Sequence, residues 1–540
     1  MIPFRVAASA RNASASPPVT LERGAYRLRA PRASQHILRP LAPTDLDIQC
    51  RKPGRTHIRM HIVLLVFLLV LACLFCFGAA WHLYSTRWGA RYVDLVPRFA
   101  DQPQVRVLPF GHDDVSLSGL DVHEKYMTYL PHSGFHNQRI ALENALVLSI
   151  ILNRTLIIPP IRLGTKPIRY VKYESLSTFF ALAGKEGLYH CSAIPVHATL
   201  PPECFDYFDY THLSWNWLVN VTQNTGPLPG VHEWDLLTLW SHHRLDFNNT
   251  DSMVLRDESP YHYRFYDMPL NTSATEAGKY TEQIYAFGIT NSSKRFLHFG
   301  TLFGSSRLVL SNPQNLAVRT AIRQNMVFSN SILASVVHDI REAIGGHYYG
   351  AHIRFSDGQF EKNSASNIRE IWCKLISTCY GYSHSDVLEM ERVFWSRANV
   401  TDNLDLKATY ADFSVTRLPS QPSICRRPVH RHPHLASLNT PLYISTDAEN
   451  PRDEPSLSVF LRTFPCAVFI SDFRTQLEPL VKIKNENDGL RLVRFVIPFL
   501  DAMIMGHASG IITTEGSTFG RYIEDVLWRV SHGEDIIERG

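Results

Sequence analysis

The chain has 540 residues, 45% hydrophobic and 19% charged, which is enough apolar material for two ordinary domains with full cores. Its net charge of +4 hides an asymmetry, because residues 1–60 hold eleven Lys/Arg against three Asp/Glu and leave the remainder slightly acidic. No basic stripe follows and neither a P-loop nor a Gly-x-Ser-x-Gly run occurs, which excludes nucleic-acid binding, P-loop nucleotide hydrolysis and serine-esterase chemistry.

Residues 1–60, rich in Pro, Ala, Ser and Arg without apolar periodicity, read as a disordered cytoplasmic tail. The uncharged run Ile62–Trp81 (IVLLVFLLVLACLFCFGAAW) is long enough, at about 1.5 Å of rise per residue, to cross a hydrocarbon core of roughly 30 Å. Residues 61–82 are therefore expected to be a transmembrane signal anchor. Arg51, Lys52, Arg55 and Arg59 crowd its N-terminal flank and predict a type II orientation, with the C-terminal part luminal. An internal signal peptide cut after Gly78-Ala79-Ala80 is the competing reading, disfavoured by the length of the run and the sixty residues before it. Residues 83–120 read as a stem.

The folded part begins with a strand at YMTYLP (126–131), a turn at His132-Ser133-Gly134, a largely apolar helix over 137–152 and a strand at Thr155–Ile158. This is a βαβ unit, which predicts a parallel sheet covered by helices. Residues 200–300 are aromatic and loop-rich and read as insertions or decoration of the first domain. A second series starts near Gly346 with strands at HYYGAHIR, PLYIST, CAVFIS and GIITT, interleaved with helices around 457–463, before His507 and from Ser517. The expected architecture is α/β, with an N-terminal domain over 121–345, a C-terminal domain over 346–540 and a cleft between them.

Cys191, Cys204, Cys373, Cys379, Cys425 and Cys466 fall in the luminal part, an even number that suggests disulfides. Proximity favours Cys191 with Cys204 and Cys373 with Cys379, leaving Cys425 with Cys466. Sequons at Asn153, Asn220, Asn248, Asn271, Asn291 and Asn399 agree with that compartment.

Ligands of open α/β sheets bind at the carboxyl ends of the strands. There the second series delivers His352 and Arg354, then Ser445, Thr446 and Asp447, then Glu515, Ser517 and Thr518. A guanidinium beside a hydroxyl-rich helix N-terminus suits a pyrophosphate. Each group alone has an ordinary alternative: Ser517 as an N-cap, Asp447 closing an Asx turn, Arg354 pairing with a nearby acid. Their convergence on one edge favours the ligand reading.

Three tracts make the pattern more specific. GFHNQR at Gly134–Arg139 with the following IALENALVLSIILNRTLIIPP, HIR at His352–Arg354, and DAMIMGHASGIITTEGSTFGRYI from Asp501 together resemble the motifs of the GDP-fucose protein O-fucosyltransferase superfamily, in the family's order. Residues 160–340 match nothing in it. The resemblance implies a GT-B transferase of two Rossmann-like domains, with a GDP-sugar on the C-terminal one and a protein or glycan hydroxyl as acceptor. It implies that Arg354 holds the β-phosphate, that His352, Asp447 and Asp501 contact ribose or guanine, and that Ser517, Thr518 and Phe519 line phosphate and base. Gly134 and Phe135 form the turn that brings Asn137 to the sugar. Transfer is expected to invert the anomeric centre without a metal or organic cofactor, and no Asp-x-Asp is present in the luminal region. The layout of tail, anchor, stem and luminal domain fits an ER or Golgi enzyme.

Two positions depart from the family. Phe355 stands where relatives often carry Arg or a small polar residue, and His136 where they carry Gly or Leu. His136 is thus a candidate general base toward the acceptor, set against a packing role. His430, His432 and His434 are separated by Pro433 and flanked by Pro428, which argues against a zinc site. A non-catalytic lectin or scaffold of the same fold is the alternative function; a glycoside hydrolase using Asp447 and Asp501 is a third.

Overall fold

The computed structural model describes residues 124–538 except 186, 196–197, 220, 222–230, 234–250, 270–278, 356–357 and 396–423, together with a few short pieces before them. Among the described residues no helix is long and apolar enough to cross a membrane. The expected anchor falls largely outside them. Its described residues, Leu68, Leu69, Leu71 and Leu74 among them, are helical and exposed. The expected tail and stem lie outside the described residues apart from 19–21, 24–26 and 106–107.

Strand β1 (Tyr126–Tyr129) leads into helix α1 (Phe135–Leu152) and strand β2 (Thr155–Ile158), as the βαβ pattern predicts. Every residue of both strands is buried, the mark of a parallel strand covered on both faces. Helix α1 is buried without interruption from Gln138 to Ser149, so it is a core helix and not an amphipathic surface one. It starts at Phe135, two residues earlier than the apolar pattern suggests, because the Gly134 carbonyl accepts the N–H groups of Asn137 (3.1 Å) and Gln138 (3.2 Å).

Strands β3 (Val231–Glu233), β4 (Ser252–Leu255) and β5 (Phe296–Phe299) complete the first sheet in the order β3-β2-β1-β5-β4, all parallel. This corrects the reading of 200–300 as insertions or decoration: the short strands β3, β4 and β5 of the first sheet all fall within it, and β5 pairs directly with β1. Runs that short carry no period long enough to distinguish a strand from a loop.

The second sheet consists of β6 (Tyr349–Ile353), β7 (Leu442–Thr446), β8 (Ala467–Val468) and β9 (Gly510–Thr513) in the parallel order β8-β7-β6-β9. It is covered by α2 (Ser331–Ile344), α3 (Ser364–Lys374), α4 (Ser458–Thr463), α5 (Val493–Gly506) and α6 (Thr518–Tyr522). Successive residues of β7 face opposite layers: Tyr443 joins a core with Tyr129, Phe328 and Phe499, while Leu442 and Ile444 pack with Trp372 and Phe460. Both sheets belong to one compact unit, and the first of these cores includes side chains from each.

Cys191–Cys204 and Cys425–Cys466 are bonded as expected. Cys373 and Cys379 are not. Helix α3 runs on through a π-helical turn at Leu375–Cys379, and six residues of α-helical rise separate Cα atoms by about 9 Å, beyond the reach of a disulfide.

Candidate active site

The carboxyl edge of the second sheet gathers the groups singled out from sequence. Strands β6, β7 and β9 are in register with His352 opposite Ser445 on one side and Thr513 on the other. Thr514 then ties the strand ends together. Its N–H and hydroxyl both donate to the His352 carbonyl (3.0 Å each), and its oxygen accepts the Arg354 N–H (2.9 Å). On the other flank Asp447 accepts the Phe355 N–H (2.7 Å). The Phe355 backbone thus anchors the Asp447 carboxylate at the edge. The backbone of Arg354 is fixed by these bonds while its guanidinium lies 4.8 Å over the Phe360 ring. A solvent-open cleft of about 590 Å³ adjoins Phe360 and is lined by Asn363, Asn367, Glu515 and Arg521.

Behind the edge is a buried polar cluster. His352 Nδ1 lies 3.3 Å from Ser445 Oγ, and the Tyr443 hydroxyl donates to Asp501. Burial pushes Asp501 up to about 7, against hydrogen bonds from Tyr443 and Ser445 that pull it down. Asp501, 7% exposed on α5, accepts from Tyr443 and lies beside Ser445, which faces His352 across the sheet. Burial, reinforced by the Arg354 cation and opposed by Asp447, lowers His352 to about 4.

Ser517 is fully buried and caps α6 by accepting the Gly520 N–H (3.2 Å). Gly520 is required there: a Cβ would stand 2.6 Å from Thr513 Oγ1 and 2.8 Å from its Cβ, so the helix could not approach the strand. The next residues, Thr518 and Phe519, are half-buried. Phe519 is where the two halves of the chain meet, its ring centroid 4.7 Å from His352 and 4.8 Å from His136 on α1.

His136 sits among Phe519, Tyr522 and Phe135. Burial, then the charges of Arg139 and Arg354 and the neighbouring His352, hold it well below the ordinary imidazole value. It is neutral at pH 7 and a weak ground-state base. His136 Nδ1 and His352 Nε2 are both out of solvent and have no hydrogen-bond partner within the protein. Two such nitrogens around one ring leave unsatisfied polar capacity of the kind a ligand or water fills. Arg139 is drawn aside by an ion pair with Glu143 and by the Tyr522 ring 4.2 Å away. Gln138 fixes the turn, donating to the carbonyls of Ser133 (3.0 Å) and Arg162 (2.8 Å) and accepting the Arg162 N–H (2.9 Å). Asn137 is half-buried, Gly134 is exposed, and Phe135 packs at 4.7 Å on Phe499. Of the sequence-predicted residues, the structure therefore unites Arg354, His352, Asp447, Phe519 and His136. Thr514, Tyr443 and Gln138 escaped the sequence reading, although Thr514 stands at a strand end where polar groups are informative.

The buried acid has a measurable signature. Asp501 titrates at about 7 in the fold against 3.8 when free, so the native state binds its proton more tightly; the stability this provides is complete below pH 3.8 and lost as pH rises to 7. Asp501→Asn removes that dependence. Its stability deficit relative to the parent is expected to shrink by about 1.4 kcal/mol per pH unit between pH 5 and 7, read from urea midpoints; a constant deficit would rule out the shift.

His190 lies 3.7 Å from the sulfurs of Cys191 and Cys204, but these are joined in a disulfide and are not thiolate ligands. His430 engages the Thr463 carbonyl (2.9 Å), whereas His432 Nδ1 accepts the His434 N–H (3.2 Å).

Comparison with known proteins yields no matching family model. One curated relative, O-fucosyltransferase 30 of Arabidopsis thaliana, is 60% identical over 38 residues, 7% of this chain and 8% of that protein. The chain resembles the GDP-fucose O-fucosyltransferases. The resemblance agrees with the motif reading, while the aligned stretch spans less than a tenth of the O-fucosyltransferase it matches. Among solved structures, POFUT1 in complex with GDP-fucose aligns with 76% of this chain and 95% of its own at 11% identity and a TM-score of 0.33, and POFUT1 in complex with GDP aligns with similar coverage at a TM-score of 0.30.

Proposed function

We propose that this chain is a membrane-tethered luminal glycosyltransferase of GT-B type that moves fucose from GDP-fucose to a protein or glycan hydroxyl, with inversion and without a metal. The observation that carries the reading is the convergence of Arg354, His352 and Asp447 at one sheet edge, closed over by Phe519 and His136 from the other half. In this reading residues 121–345 and 346–540 form the acceptor and donor sides. Arg354 pairs with the β-phosphate and stabilises the charge that develops as GDP leaves. Asp447 and His352 face the nucleoside, Thr518 lies at the phosphates, and Asn137 approaches the sugar. His136, kept neutral, offers a hydrogen bond to substrate instead of storing a proton. The GDP-sugar is the donor substrate and no cofactor is needed. The run at 62–81 anchors the enzyme in the ER or Golgi membrane, its orientation supported by the basic flank at 51–59.

The test is calorimetric binding of GDP to the purified luminal region, followed by GDP release from a panel of GDP-sugars with varied acceptors. Tight GDP binding and selective turnover of GDP-fucose are expected. Absence of GDP binding would overturn the transferase reading, and binding without turnover of any donor would establish the scaffold instead.

A further inference from the structure

A second polar cluster stands at the carboxyl edge of the first sheet. Three neighbouring strands, β1, β5 and β4, deliver His132, Thr301 and Asp257 into it just beyond their ends. His132 is 3% exposed, with Nε2 2.8 Å from Thr301 Oγ1 and Nδ1 2.8 Å from Ser133 Oγ. Tyr170 and Phe303 clamp its ring edge-on at 5.3 Å each. The Thr301 end is fixed in turn. Its oxygen accepts the Phe303 N–H (3.1 Å), and its own N–H donates to Asp257 Oδ1 (3.0 Å). That carboxylate lies so close to the chain that a Cβ at Gly300 would fall on it. Burial and the Arg307 cation lower His132 to about 3, so the imidazole stays neutral, with one nitrogen donating and the other accepting.

The string ends at Ser133, a half-buried residue with φ of +65°. A serine adopts that left-handed conformation at a cost of order 1 kcal/mol that a glycine avoids. The backbone is held there by the Ser133 N–H to the Ile168 carbonyl (2.6 Å) and by Gln138. Packing gives no reason for a serine. Its hydroxyl is instead the point where a buried chain of hydrogen bonds, from Asp257 through Thr301 and His132, reaches the surface. Immediately after it, a Cβ built on Gly134 meets nothing within 4 Å, so the space before α1 is open. Three residues further on is His136, which meets Phe519 and senses Arg354. Three residues span at most about 10 Å, so Ser133 stands on the same turn that carries His136 to Phe519 at the edge of the second sheet.

We propose that Ser133 binds a hydroxyl of the donor's hexosyl group, and that His132 is the positioning residue which sets the direction of the Ser133 hydroxyl. The inference rests on the GDP-sugar reading above and assigns the sugar end of the site to the first sheet. The buried string matters because it restricts the otherwise free Ser133 hydroxyl, as donor or acceptor according to the imidazole tautomer, and so lowers the ordering cost of a bond to sugar.

The experiment compares GDP with GDP-fucose by calorimetry on the parent, Ser133→Gly and Thr301→Val. Ser133→Gly deletes the hydroxyl while relaxing the backbone; the relieved strain offsets part of the cost of leaving His132 Nδ1 without its partner, so a modest fall in melting temperature is expected. Its affinity for GDP-fucose is expected to drop about five-fold and that for GDP to stay within about two-fold. Thr301→Val, which removes the hydroxyl partner of His132 Nε2, is expected to weaken GDP-fucose alone and by less. Equal losses for both ligands, or none for either, would overturn the proposal while leaving the GDP-sugar reading in place. A parent protein that binds neither ligand would remove both.

Discussion

Arg354→Ala is expected to lower GDP release from the donor by about a thousand-fold, the upper part of the range for removing one preorganised donor from a developing anion. The loss should appear mainly in kcat, because pyrophosphate charge grows as the glycosidic bond breaks and the guanidinium stabilises that state more than the ground state. The fold should survive. Thr514 holds residue 354 through its backbone N–H, a bond the substitution keeps, and the side chain is only half-buried against Phe360. Arg354→Lys retains the charge and loses the planar fork, so partial recovery is expected. A variant within ten-fold of the parent, with unchanged circular dichroism, would exclude Arg354 from the leaving-group role.

Asp488→Ala is expected to cost about 3–5 kcal/mol of stability, the penalty for stripping one partner from a buried ion pair. Lys185 and Asp488 have side chains only 5% and 4% exposed, with Nζ 2.8 Å from Oδ2. Lys185 also donates to the carbonyls of Tyr207 (2.7 Å) and Tyr210, while Asp488 accepts from the Thr211 hydroxyl (2.8 Å) and the Leu490 N–H (3.1 Å). Burial lowers the ammonium pKa and the carboxylate opposes that shift. The pair joins residues 185–211 to the loop at 485–490, its two members 303 residues apart in the chain, so the loss should appear as a lower midpoint for global unfolding. Asp488→Asn keeps the shape and one acceptor oxygen and should cost less. Equal and small costs for both substitutions in urea titrations would mean that solvent reaches the pair.

The second sheet was legible because its strands are apolar runs of four or five residues that end in polar clusters, and β6, β7 and β9 lie within about two residues of the expected limits. Strand β8 was not: of the run Cys466–Ser471 only Ala467–Val468 pairs, and the chain turns at Ile470–Asp472. The first sheet was half legible. Thr155–Ile158 follows a helix in a regular βαβ unit, whereas Phe296–Phe299 follows a long loop-rich tract and has no neighbouring period to support it.

The amino-acid sequence by itself determined the βα alternation, the groups at the second sheet's edge, two of the disulfides and the O-fucosyltransferase resemblance. These reside in local periodicity and in short contiguous motifs. Only the tertiary structure decided that Phe296 pairs with Tyr126, that Thr301 bridges His132 and Asp257, and that His136 closes on Phe519. The physical reason is that parallel strands pair across long crossovers, so which strand becomes a neighbour is set by how whole helices and sheets bury their faces, and no short stretch of chain carries that choice.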